Sequence, residues 1–190
     1  IDSRAFAGRD SQINDVINAC LQRGQHAVIF GERGAGKTSL ANTLCQVLRT
    51  KFVMPECGTI NCDQTTTFAS LWRAILSEIS LSRNTPANRN QSGGDRTQGT
   101  FAQLLPENVT PHSVRMVLQN RGKFLFIIDE VDRIKDKSTT TLLADTIKTL
   151  SDHATDTTLV LVGVAESVDT LIAEHESIQR ALIQVHMPRM

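Results

Sequence analysis

The chain has 190 residues, 40% hydrophobic and 21% charged, with Lys plus Arg and Asp plus Glu both at 20 and a formal net charge of zero. That length suits one domain with a real core, no apolar run approaches the roughly 18 residues of a membrane helix, and the bulk charge supplies no pull toward DNA or a membrane surface. No basic-then-apolar leader precedes Phe6, which reads as cytoplasmic placement, and cysteines at 20, 45, 57 and 62 without a Cys-x-x-Cys pair read as buried free thiols rather than metal ligands or a disulfide frame.

Taken in chain order, Ile13, Val16, Ile17, Cys20 and Leu21 recur at helical spacing ahead of Gly24, which predicts a first helix. The continuous apolar run His26 to Phe30 has the character of a parallel strand covered on both faces. A helix follows over residues 37 to about 50, with Leu40, Leu44, Val47 and Leu48 on one side. Gly58 to Cys62 reads as a second strand, and Phe68, Leu71, Trp72, Ile75, Leu76 and Ile79 as an amphipathic helix. Thr110-Pro111 is a cap and first turn for a helix through Val114, Val117 and Leu118. The buried-type strand Phe124 to Ile128 comes next, then a helix through Leu142, Leu143, Ile147 and Leu150, and another buried strand at Leu159 to Val162. A helix near Val168 to Ala173, a short one around Ile178 to Leu182 and a strand near Gln184 to Met187 close the chain. Alternation of this kind predicts a three-layer αβα sandwich around a mainly parallel five-stranded sheet. Residues 82–100, polar apart from one alanine, read as a mobile surface insertion.

Between the first strand and the second helix lies Gly31-Glu32-Arg33-Gly34-Ala35-Gly36-Lys37-Thr38-Ser39, which satisfies G-x-x-x-x-G-K-[ST] in the context that gives that pattern meaning. Glycines let successive N–H groups and the helix N-terminus converge on phosphate. Lys37 would reach the β and γ phosphates, and the Thr38 hydroxyl would ligate Mg²⁺. A magnesium nucleotide also needs a carboxylate at the end of a strand neighbouring this loop, and Asp129 closes Phe124 to Ile128. Glu130 beside it supplies what a hydrolase needs and a small-molecule kinase does not, a carboxylate to orient and polarise water. No Asn-Lys-x-Asp follows, so the reading is ATP/ADP rather than GTP. Ser92-Gly93-Gly94 lacks the leucine that begins the transporter-ATPase signature and reads as loop.

Phe6-Ala-Gly-Arg9, the phosphate loop, "GTINCD" at 58–63, "FIIDEVDRI" at 126–134 and "LVLVGVAES" at 159–167 come in the order of the AAA+ ATPases. They most resemble the branch of origin-recognition and transposition ATPases, and are similar to the STAND signalling NTPases. The resemblance implies that Phe6, Gly8 and Arg9 lie near the adenine. It also implies that Glu166 or Ser167 stands where the first sensor residue is usually Asn, Thr or Ser, and that Arg180 acts in trans on a neighbour's nucleotide. Arg133 is a weaker candidate, for structure or a subunit contact. AAA+ proteins usually continue into a helical lid; the chain ends at Met190 without one, so residues 1–190 are expected to be the nucleotide core of a longer protein that forms homo-oligomers and carries appended domains. The expected function is a Mg²⁺-dependent ATP-binding and ATP-hydrolysing switch of the STAND type. The alternative is a DNA-associated ATPase of the initiator or transposition type, to which Arg83, Arg89 and Arg96 would offer phosphate contacts.

Overall fold

A computed structural model of the chain describes residues 9–51, 56–81, 99–164 and 176–188. The predicted helix near Val168 to Ala173 and most of the polar insertion lie outside these residues. The described elements are α1 (Asp10–Leu21), β1 (His26–Gly31), α2 (Lys37–Lys51), β2 (Glu56–Asn61), α3 (Phe68–Ser77), α4 (Pro111–Leu118), β3 (Phe124–Asp129), α5 (Lys137–Asp152), β4 (Thr157–Gly163) and β5 (Leu182–Met187). Glu176–Ala181 forms a 3-10 turn where a short helix was expected.

The strands form one five-stranded sheet in the order β2-β3-β4-β1-β5, with every pairing parallel. Alternation along each strand divides the core in two. Phe124, Phe126 and Ile128 of β3, with Leu159 and Leu161 of β4, face α3, α4 and α5. Leu125, Ile127, Val160 and Val162 face α1 and α2. Burial on both faces is why these strands are continuous apolar runs in the sequence. The first layer is the more aromatic, with Trp72 edge-on to Phe126 at 5.8 Å between ring centroids.

Three helices have side-chain caps that define their starts. Thr67 and Ser70 form a reciprocal capping box before α3, as do Thr110 and Ser113 before α4, where Pro111 takes the first turn. Asp136 accepts the N–H groups of Ser138 and Thr139 at the start of α5. The base of the polar insertion is closed by an antiparallel bridge between Ser80 and Thr100, and the Leu81 N–H donates to the Gly99 carbonyl at 2.9 Å. Gly99 and Thr100 are therefore part of the framework, not of a mobile segment. Cys20 and Cys62 are buried free thiols as expected; Cys45 and Cys57 are only half-buried. No helix among the described residues is long and apolar enough to cross a membrane.

Candidate functional site

The C-terminal ends of β1, β4 and β3 stand side by side, with Phe30 level with Gly163 and Ile128 level with Leu161. The phosphate loop leaves β1 at Gly31 and enters α2 at Lys37. Gly34 and Gly36 take φ of +79° and +81°, left-handed values that side chains with a β-carbon adopt at a cost. That alternation turns consecutive amides toward one concavity. Glu32, Arg33 and Gly34 are exposed, whereas Ala35 is buried. Lys37 Nζ donates to the Gly31 carbonyl at 3.0 Å and the Glu32 carbonyl at 2.8 Å, so the loop's own backbone uses two of the ammonium's three donors. No acidic residue occupies the first turn of α2, which leaves the positive end of that helix for an external anion.

On the other side, Asp129 ends β3 at 4% exposure. Its Oδ1 accepts the Glu130 N–H at 2.8 Å. Glu130 then takes φ +57°, ψ +40°, a left-handed turn that carries the chain into the 3-10 segment Val131–Arg133 and leaves the carboxylate about half exposed. Arg133 Nη1 donates to Glu130 Oε2 at 2.9 Å, and this contact raises the arginine's already high pKa. Cys62 hydrogen-bonds through its N–H to the Asp129 carbonyl at 2.8 Å. Burial first, then the charge of Asp129, pushes its thiol up to about 12, so it stays neutral beside the acids and is no nucleophile.

A cleft of about 520 Å³ joins the two halves, lined by Arg33, Gly34, Glu130, Asp132, Arg133 and Val164. Phosphate loop and acidic turn thus share one cavity. Asp132 and Val164 were not anticipated; Asp132 looks like any surface acid after the pair, and Val164 enters only through strand order. Asp129 ends a strand that stands one removed from the phosphate loop's own, with β4 between β1 and β3. The exposed Thr38 on the first turn of α2 and the Asp129 carboxylate are hard oxygen donors, the kind Mg²⁺ takes.

Arg9 lies against the phosphate loop. It is 8% exposed, and its Nη1 donates to the Ala35 carbonyl and lies 3.6 Å from the Met187 sulfur. The guanidinium is therefore packed against the phosphate loop and the end of β5. Arg180 is exposed on the turn before β5. Its carbonyl accepts from Gln25 Nε2 at 3.3 Å, just ahead of β1, so it stands at the strand-start end of the sheet. Six-residue β1 puts the phosphate loop roughly 17 Å away at ~3.3 Å per residue; Arg180 cannot serve the site of its own chain. Phe6, Gly8, Glu166 and Ser167, together with Arg83, Arg89 and Arg96, lie outside the described residues.

The AAA domain family matches residues 20–172. The chain is 27% identical over 141 residues to the ORC1-type DNA replication protein 1 of Halobacterium salinarum, a match covering 71% of this chain and 40% of that protein. Among solved structures, the ORC1 protein of Aeropyrum pernix in complex with DNA aligns over 95% of this chain and 45% of its own, at 15% identity and a TM-score of 0.62. The ORC2 protein of the same organism, in ADPNP-ADP complexes, aligns over 96% of this chain and 47% of its own, at 13% identity and a TM-score of 0.61. The chain thus spans less than half the length of each.

Proposed function

Because the chain belongs to the AAA domain family, we propose that it is the ATP-binding and ATP-hydrolysing core of a larger, DNA-associated assembly protein of the initiator type. The observation that carries this reading is the shared cleft, with Arg33 and Gly34 of the phosphate loop on one wall and Glu130, Asp132 and Arg133 of the turn after Asp129 on the other. Beside it, the loop's amides other than that of Ala35, which donates to the Glu32 carbonyl, hold the triphosphate with the start of α2, and Lys37 exchanges its two carbonyl partners for phosphate oxygens. Thr38 and Asp129 hold Mg²⁺, which when bound neutralises charge on the phosphate oxygens. Glu130 orients and polarises the attacking water. Its Oε2 is held by Arg133, so Oε1 is the oxygen presented to water. Arg180, remote from its own site, supplies positive charge to the nucleotide of an adjoining subunit.

Similarity to a protein named for DNA replication favours this reading over a STAND-type signalling switch, which uses the same pocket. With zero formal charge, DNA contact falls to local basic patches or to other parts of a longer protein.

ATP turnover and nucleotide affinity, measured with and without duplex DNA, test the proposal. Lys37→Ala is expected to lose nucleotide binding. Glu130→Gln is expected to bind ATP, slow hydrolysis by about 10²- to 10³-fold and accumulate an ATP-bound oligomer. Parental turnover by Glu130→Gln would remove the water-polarising role. Failure of the full-length protein to bind duplex DNA in any nucleotide state would return the signalling reading.

A further inference from the structure

We propose that Arg9 is a positioning residue that sets the phosphate loop from beneath, orienting the Gly36 amide toward the triphosphate; this rests on the nucleotide-binding reading above. Arg9 caps the start of α1, with its carbonyl accepting the Ile13 N–H at 3.1 Å. Its side chain runs inward to 8% exposure and ends against the loop, where Nη1 donates to the Ala35 carbonyl. The fit is close: a β-carbon on Gly36 would stand 3.2 Å from Nη1.

The physical consequence lies in the Ala35–Gly36 peptide. No cis peptide bonds occur among the described residues, and in a trans peptide the C=O and N–H point to opposite edges of one rigid plane. Holding the Ala35 oxygen against Arg9 turns the Gly36 N–H away from Arg9, to the outer face of the loop from which phosphate must approach. Both partners of Nη1, a carbonyl and the Met187 sulfur, are neutral. The same contact places a guanidinium cation behind the amides that cradle the anion. Arg9 thereby couples the start of α1 and the end of β5 to the loop's binding competence. Its action is on the phosphates, whatever base they carry.

That last point gives the test. Binding of Mg-ATP, Mg-GTP and inorganic tripolyphosphate is measured by calorimetry for the parent chain, Arg9→Gln and Arg9→Lys, with melting temperatures alongside. Arg9→Gln should weaken ATP and tripolyphosphate by the same factor, about 10- to 100-fold for a lost charge-assisted hydrogen bond, and leave the ATP-to-GTP ratio unchanged. Arg9→Lys, with its charge kept and its planar fork lost, should recover part of that factor. Weakening of ATP alone would make Arg9 an adenine contact and overturn the proposal. A lowered melting temperature with parental tripolyphosphate affinity would reduce Arg9 to a packing role and overturn it equally. If Arg9→Gln does not fold, Arg9→Lys carries the test: a smaller loss common to both ligands supports the proposal, and no loss for either refutes it. A parent that binds neither ATP nor tripolyphosphate would instead refute the nucleotide-binding reading itself.

Discussion

His26 shows how far a single side chain can be bent from its solution behaviour by its position in the sheet. It opens β1 at 0% exposure, and its Nδ1 accepts the Leu159 N–H at 3.0 Å, so the ring proton sits on Nε2. Burial lowers its pKa from 6.5 to about 4, offset only in part by the Ile147 carbonyl. The folded value lies below the unfolded one, so the unfolded chain binds the extra proton first. The stabilisation is therefore complete above pH 6.5 and is lost as pH falls toward 4. Urea unfolding should show this group costing about 2 kcal/mol between pH 7.5 and pH 5, with a shallower dependence in His26→Gln. Asp63 and Asp136, held below the ordinary carboxylate range chiefly by the hydroxyls of Thr65 and Thr139, stay charged across that window and do not mimic the effect. An unchanged pH slope in His26→Gln would mean that the ring binds protons equally in the folded and unfolded chain and that burial does not lower its pKa.

Helices and strands here owe their limits to short-range chemistry, which is why the sequence shows most of them. The Thr110 box is local, made with Ser113 three residues on. Thr110→Ala should cost about 1 kcal/mol in unfolding free energy and leave ATP affinity unchanged, since α4 packs on the aromatic layer, away from the loop. β1, β3 and β4 are legible because both their faces are covered; β2, at the sheet edge and only half-buried, begins at Glu56 rather than Gly58. Two facts about the site were not legible. Strand order is a property of tertiary pairing, so nothing in the local pattern puts β4 between β1 and β3. The burial of Arg9 against the phosphate loop is the other, because the partners that bury it lie 26 and 178 residues away in the chain.

Across the whole molecule, the phosphate loop and Arg180 occupy opposite ends of the sheet, which makes complementation between subunits a direct measurement. Lys37→Ala lacks its own site but keeps Arg180; Arg180→Ala has the reverse defect. Mixed in equal amounts, two near-inactive preparations should regain up to roughly a quarter of parental ATPase, the share of interfaces that pair an intact loop with an intact arginine in a cyclic oligomer. Unchanged inactivity on mixing would exclude the trans role. The central place of β4 has a consequence of its own. Backbones two strands apart stand roughly 9–10 Å from each other, twice the usual spacing. The sheet therefore works as a caliper, its jaws the ends of β1 and β3 and its opening one strand wide. The width between these jaws is set by hydrogen bonding between strands, far below the site.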